Sequence, residues 1–172
     1  MPARYGSYAR PYHRPFLALS RVSSLLKFLS MALKSEPVVI PGILMSDLSI
    51  IEHGTSKRSV VGIFDQFAFS QFPITIARFW ITAWITNLAG TLSEMELTTR
   101  IQEKGSAHVV FSSSTNVQFP SETALDPTNT SALSTPVIGI TFQKPGIYTI
   151  VLLLNGDEIG KRDIHVRQVP QA

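Results

Sequence analysis

From Val38 onward, apolar side chains recur at every second position, which is the spacing of a β-strand. The clearest run lies between Arg78 and Thr86. A strand over this run directs alternate side chains to opposite faces: Phe79, Ile81, Ala83 and Ile85 to one, and Trp80, Thr82, Trp84 and Thr86 to the other. Because the first set is the more apolar, we expect it to face the protein core.

Further runs of this kind are separated by turn sequences. The segments Ile43–Glu52 and Ser59–Phe64 predict a hairpin with a polar loop. Asn155-Gly156 predicts a second, tight hairpin, because both turn residues tolerate a positive φ. About eight strands at such regular spacing predict an all-β fold over residues 36–172, an antiparallel β-sandwich or barrel.

One part of this region lacks the alternation. Residues 112–135 are rich in Ser, Thr, Pro and Asn and contain few apolar side chains. This composition predicts that much of the segment is a long loop. Long loops in compact domains are often functional or mobile. We expect the segment 112–135 to be the least constrained part of the domain.

Composition narrows the possible protein classes. A chain of 172 residues matches one domain of ordinary size, and 44% apolar against 16% charged residues is enough to build a core. The chain contains no cysteine. Its absence excludes disulfide frameworks, thiolate metal sites and thiol nucleophiles, and it leaves the redox compartment open.

The net charge of +3 is unevenly distributed along the chain. Residues 1–35 contain six Lys or Arg and no acid, so residues 36–172 contain the other nine against all twelve Asp and Glu, a net charge of −3. Nucleic-acid binding requires clustered Lys and Arg on a folded face. We therefore expect no nucleic-acid binding through residues 36–172.

The basic extension over residues 1–35 allows three interpretations. It is a disordered tail or an extended reading frame upstream of a true start at Met31, a targeting peptide, or an amphipathic helix over residues 16–29 that contacts a membrane surface. Arg21 and Lys27 interrupt its apolar run, which argues against a secretory signal. A cytoplasmic location is the default expectation, with the targeting interpretation left open.

The residue types that carry catalysis or bind metals are scattered. The four histidines are isolated from one another, so no metal site is predicted. Glu94 and Glu96 would project from one strand face about 6–7 Å apart, a separation that glycosidases use, but exposed neighbouring acids are normally only solvated. No serine lies in a Gly-x-Ser-x-Gly elbow. We therefore expect no enzyme activity, no catalytic residue, no metal and no cofactor.

The candidate binding residues are Trp80, Thr82 and Trp84. On a strand the two indoles share one face about 13 Å apart, with Thr82 between them. If exposed, this face is an aromatic and hydroxyl platform that suits a sugar chain or a partner protein. The alternative is that both tryptophans lie half-buried beneath the segment 112–135, because exposed tryptophan pairs are uncommon in monomers.

The order of several motifs resembles a known family pattern. The motifs are Asp47 followed by Val61-Gly62-Ile63-Phe64-Asp65, Phe72-Pro73 before Phe79-Trp80, Pro145-Gly146-Ile147-Tyr148, and Asn155-Gly156. Together they resemble a family of small uncharacterised bacterial proteins, and the resemblance covers residues 38–168. It implies an immunoglobulin-like β-sandwich of unknown function, and it carries over no catalytic residue.

Three hypotheses of function remain. The first is a non-enzymatic interaction or assembly module, which contacts a partner protein or a second copy through the Trp80/Trp84 face or an edge strand. The second is a module that binds carbohydrate or another ligand with the same aromatic pair and residues 112–135. The third and most remote is a cryptic hydrolase.

Overall fold

The structure is a computed structural model that describes residues 37–55 and 57–171, without the side chains of residues 40, 41, 92, 93 and 119–124. The expectations about the extension 1–35, the start at Met31 and the helix over residues 16–29 therefore lie outside the described residues. Within the described ranges, no helix is long and apolar enough to cross a membrane. A cytoplasmic location stays a prediction.

Nine strands run through the described residues, and these residues contain no helix. The strands are β1 (Val38–Ile51), β2 (Arg58–Phe64), β3 (Gln66–Phe69), β4 (Ile74–Thr86), β5 (Gly90–Glu103), β6 (Val109–Leu125), β7 (Ser131–Phe142), β8 (Gly146–Leu154) and β9 (Asp157–Gln168). The predicted all-β class is confirmed. The predicted number of about eight is replaced by nine, since β3 forms a short strand of its own.

The strands form two sheets that enclose a common core. The first has the order β2-β1-β4-β7 and the second the order β3-β9-β8-β5-β6. Neighbouring strands are antiparallel except for β3 and β9, which pair in parallel. The chain changes sheets between β2 and β3, at Asp65, so one short connection links an edge of the first sheet to an edge of the second.

The core lies between the two sheets and is built from alternating strand positions. The expectation that Phe79, Ile81, Ala83 and Ile85 face inward is confirmed, since each is at most 3% exposed. Their counterparts from the second sheet include Ile101, Tyr148, Ile150 and Ile164. Burial of side chains of this size stabilises the fold by roughly 1.5–3 kcal/mol each, so the sealed interior is the main source of stability.

The prediction of a long loop over residues 112–135 is wrong. Strand β6 continues to Leu125 and β7 begins at Ser131, so only residues 126–130 connect them. Strand β6 is the outer strand of its sheet, where neither face requires a continuous apolar pattern. Its hydroxyl side chains pair across the ladder instead, as in the 2.7 Å hydrogen bond between the hydroxyls of Ser114 and Thr98.

The tight hairpin at Asn155-Gly156 is confirmed. Both residues have a positive φ, 50° and 91°, and they join Leu154 of β8 directly to Asp157 of β9. Asn155 also fastens the turn to β5. Its N–H donates to the carbonyl oxygen of Glu96 at 2.8 Å, and its Oδ1 accepts from the Glu96 N–H at 2.8 Å.

Arg162 of β9 holds the connection between the two sheets in place. Its guanidinium forms an ion pair of 2.5 Å with Asp65, in the short link between β2 and β3. The same group donates a hydrogen bond to the backbone carbonyl oxygen of Ile43 in β1. Arg162 thus links the second sheet to the connection between β2 and β3 and to strand β1.

A first prediction concerns Gly62 in β2, whose φ of 70° is unfavourable for a residue with a side chain. A Cβ added at Gly62 would also collide with the Asp47 side chain in β1. We expect Gly62→Ala to lower the free energy of unfolding by about 2–3 kcal/mol, as measured by urea denaturation.

The companion variant separates the two causes. In Asp47→Ala/Gly62→Ala the two closest contacts, with Oδ2 and Cγ of Asp47, are removed, whereas the backbone strain and a tight contact of 3.0 Å with the Cβ of residue 47 remain. We therefore expect the double variant to recover part of the lost stability. Asp47→Ala alone serves as the control, because this side chain is exposed. Strictly additive effects of the two substitutions would contradict the close approach of the two strands at this point.

A second prediction concerns pH. Hydrogen bonds donated by Lys104 and Thr149 hold the pKa of Asp163 below its ordinary value. Because the folded-state pKa lies below the unfolded one, this contribution to stability is present above about pH 4 and is lost as the pH falls through the folded-state pKa. The groups are largely exposed, so we expect less than about 1 kcal/mol at pH 7.

The test is urea denaturation of the wild type and Asp163→Asn at a series of pH values. The difference in unfolding free energy should shrink between about pH 5 and pH 2. A difference that stays constant over this range would show that Asp163 does not titrate in the way described.

Candidate functional site

The predicted binding residues Trp80, Thr82 and Trp84 lie on the face of β4 that points away from the core. Thr82 is nevertheless 0% exposed, and both tryptophans are only half-buried. A strand that is buried on both faces needs a cover on its outer side. The hairpin of β1 and β2 provides part of that cover.

Strand β1 follows β4 only as far as the pair Ser46↔Trp80. Beyond Ser46 the hairpin turns across the outer face of the sheet, because the Ser49 hydroxyl reaches the Ser134 hydroxyl at 2.8 Å. Ser134 is the register partner of Thr82 in β7, and the hydroxyls of these two residues are also 2.8 Å apart. A flat continuation of β1 would carry Ser49 away from this position.

Arg58, at the start of β2, holds the folded hairpin against the sheet. Its guanidinium donates to the Ala132 carbonyl oxygen at 3.3 Å and to the Ser49 hydroxyl at 3.4 Å. Burial lowers the pKa of Arg58 from its ordinary value, but an arginine remains charged at any pH the protein experiences. The hairpin is therefore fastened by a permanent cation on a backbone carbonyl of β7.

Two donors in this region are buried without an acceptor among the described residues: the indole N–H of Trp80 and Nε of Arg58. The three candidate residues are thus brought together on one strand, but Thr82 is closed off by the hairpin contact. The hairpin is one part of the cover, and residues 131–135 of the segment 112–135 also lie beside Thr82 and Trp84, in β7. The alternative that the segment 112–135 half-buries both tryptophans stays a prediction. Binding of a sugar or partner by Trp80, Thr82 and Trp84 stays a prediction.

The outer side of the hairpin is aliphatic and open to solvent. Four side chains share this side: Leu48, Ile50, Val61 and Ile63, which are 38%, 42%, 51% and 55% exposed. The register places Leu48 opposite Val61. Ile50 of β1 and Ile63 of β2 are each two residues further along their strand and therefore lie on the same side of the hairpin. We call these four residues the aliphatic face. Their alternation with Ser49 and Gly62 is visible in the sequence, but by itself it predicts only an ordinary hairpin.

A groove opens between β3 and the first half of β4. It has a volume of about 370 Å³, within the range of known ligand pockets. Its apolar wall contains the rings of Phe64, Phe67, Phe69 and Phe79. The ring of Phe67 packs edge-to-face against those of Phe64 and Phe79, with ring centroids 5.0 Å and 5.2 Å apart. Two charged side chains, Asp47 and Arg78, also line it.

The residues tested for chemistry are dispersed. Across residues 37–55 and 57–171, no group of three or more His, Cys, Asp or Glu side chains lies close enough to hold a metal ion. His53, His108 and His165 are exposed on separate segments, and His13 lies outside the described residues. Glu94 and Glu96 are exposed on β5, where their register partners are the amides Gln118 and Asn116.

A third prediction concerns the closed hairpin. Arg58→Ala removes its charged hydrogen bonds to β7, which we expect to lower the free energy of unfolding by about 1–2 kcal/mol and to loosen the hairpin. Acrylamide should then quench the fluorescence of Trp80 more strongly, as measured in a Trp84→Phe background.

Lys57→Ala is the matched control, because Lys57 is the exposed cation next to Arg58 in the chain. It should leave both the quenching constant and the stability unchanged. Equal quenching in the Arg58→Ala variant and its parent would show that the hairpin does not depend on this residue.

Solved structures show only distant likeness to the chain. An alkylpurine DNA glycosylase from Pseudomonas fluorescens is 10% identical with a TM-score of 0.41, over 83% of this chain and 33% of the glycosylase. A β-glucosidase from Listeria innocua is 8% identical with a TM-score of 0.36, over 80% of this chain and 17% of the glucosidase. A β-glucosidase from Kluyveromyces marxianus is 10% identical with a TM-score of 0.33, over 60% of this chain and 15% of the glucosidase. The chain therefore spans about a third of the glycosylase and less than a fifth of each glucosidase.

Sequence comparison is more specific. No curated protein matches the chain. The model of a family of unknown function, DUF6941, matches residues 43–167, which is most of the chain. The expected resemblance to a family of unknown function is thereby confirmed, whereas its bacterial character stays a prediction. The chain belongs to DUF6941, a family of unknown function.

Proposed function

We propose that this domain is a non-enzymatic assembly module and that two copies associate through the aliphatic face of the β1–β2 hairpin. The observation that carries the proposal is the exposure of four large aliphatic side chains on one side of one hairpin. Contiguous apolar surface of this kind is uncommon on monomeric proteins and is typical of contact sites.

The chemistry of the aliphatic face favours a second copy as the partner. None of its four side chains is charged or polar, so the face is complementary to itself. A two-fold contact brings the same patch of each subunit together, and such contacts are the commonest in homo-oligomers. Packing of Leu48, Ile50, Val61 and Ile63 against their symmetry mates would remove all four from water.

The position of β2 supports the same arrangement. Strand β2 is the outer strand of its sheet, so its far edge has no partner strand among the described residues. Natural proteins protect such edges because exposed edges pair with other chains. Here β2 carries Val61 and Ile63 beside the open edge, so association would cover both the edge and the apolar side chains.

We further propose that the domain has no catalytic role. The described histidines are separated from one another, and the neighbouring acids Glu94 and Glu96 point to solvent opposite amides. General acid–base catalysis requires groups that converge on one reacting atom. In the part of the chain that the structure describes, the aliphatic face carries apolar side chains and no acid or base group.

The strand order supports an immunoglobulin-like classification, which we also propose. The run β9-β8-β5-β6 corresponds to the G-F-C-C′ order of an immunoglobulin sheet, and β1-β4-β7 corresponds to A-B-E in the opposite sheet. The additions are the strand β2 at one edge and the parallel strand β3 at the other. The additions coincide with the aliphatic face and the groove.

The fourth prediction tests the assembly. The full chain should run as a dimer in size-exclusion chromatography with light scattering, and Val61→Lys/Ile63→Lys should run as a monomer because apposed lysines repel and resist burial. Both side chains are more than half exposed, so the variant should keep the circular dichroism spectrum and thermal midpoint of the wild type.

Ile138→Lys is the matched control, since Ile138 lies on β7 at the opposite edge of the sheet and is 64% exposed. It should leave the dimer intact. A wild-type chain that stays monomeric at concentrations of about 100 μM, or a dimer that survives the double lysine variant, would overturn the proposal.

A further inference from the structure

The first half of β4 has one strand edge without a partner strand among the described residues. Strand β7 pairs with β4 from Ile74 to Ile85, but β1 pairs with it only from Trp80 onward. The backbone of residues 74–79 therefore has hydrogen-bonding groups on the β1 side that no described strand satisfies. An edge of this kind, six residues long, can accept another strand.

The reason for the open edge is the path of β1. After Ser46 the hairpin turns across the outer face of the sheet, as the contact of Ser49 with Ser134 shows. The position that a straight β1 would have occupied beside residues 74–79 is consequently left open. Strand β3 lies across the groove from residues 74–79, and Arg162 holds the connection that leads into β3 at Asp65.

The groove lies along this open edge. Its lining combines Ile74, Ile76 and Phe79 of β4 with Phe67 and Phe69 of β3. Side chains of an added strand point alternately to opposite sides, so every second residue of an occupant would enter the groove. An aromatic and aliphatic lining of about 370 Å³ favours apolar side chains at those positions.

The two charges at the groove restrict the occupant further. Arg78 and Asp47 both line it, and neither takes part in any of the ion pairs found among the described residues. Opposite charges on neighbouring strands stabilise the pairing, whereas like charges weaken it. An occupant with an acidic residue beside Arg78 and a basic residue beside Asp47 would complement both.

We propose that the groove binds an extended peptide segment of another protein, which adds to the free edge of β4 at residues 74–79. Apolar side chains at alternate positions of the peptide fill the phenylalanine-lined groove. An acidic residue of the peptide pairs with Arg78 and a basic residue with Asp47. The site is separate from the aliphatic face, so it does not rest on the proposed dimer.

The first experiment selects peptides from a displayed library of random twelve-residue sequences on the full chain. The expected consensus alternates apolar residues and contains one acidic and one basic position. On binding of a selected peptide, backbone amides within residues 74–79 should exchange more slowly with solvent, at every second residue. Failure to enrich any peptide, or protection confined to other strands, would overturn the proposal.

Substitutions then locate the peptide. Ala68→Trp places a large side chain in the groove from an exposed position of β3, and we expect it to weaken binding by about tenfold or more. Ala107→Trp, in the exposed turn before β6, is the matched control and should bind as the wild type does. Equal loss in both variants would contradict binding in the groove.

Charge reversal provides a test that does not depend on filling the groove. Arg78→Glu should weaken peptides with an acidic residue and favour the same peptides with lysine at that position. The monomeric variant Val61→Lys/Ile63→Lys should bind peptide with unchanged affinity. Loss of peptide binding in that variant, with binding retained in Ala68→Trp, would place the peptide on the aliphatic face and overturn the groove proposal.

Discussion

Strand β4 must be covered on both faces, and the rest of the domain is arranged around this requirement. Its inner face, from Phe79 to Ile85, is sealed by the second sheet. Its outer face carries two indoles, which are too large and apolar to be left in water without cost. The hairpin of β1 and β2 covers part of that face, and Arg58 secures it to β7.

This cover has consequences at two other places in the molecule. Since the hairpin turns across the sheet, its own outer side becomes the new surface, and this side is aliphatic. The same turn removes β1 from the flank of residues 74–79 and leaves the groove beside them. A single bend after Ser46 therefore produces both surfaces to which we assign contacts.

The sequence predicted those features that depend on local pattern. The inward set of β4 follows from alternation, and the turn at Asn155-Gly156 follows from the φ angles that these residues tolerate. Strand β6 was missed because an outer strand tolerates Ser and Thr on both faces, so its composition is typical of a loop. The folded hairpin was missed because its contacts, such as Ser49 with Ser134, join residues 85 positions apart and leave no periodic signal. The groove depends on that same bend.

The parallel pairing of β3 with β9 joins an early segment of the domain to its last strand. Phe67 pairs with Val166, so during synthesis this ladder can form only after the residues between them have been made. Ladders between such distant segments form slowly, because the loop between them has to close first. Until then the phenylalanine-rich segment lacks its sheet, and the nascent domain exposes this segment to chaperones or to the same segment of neighbouring chains.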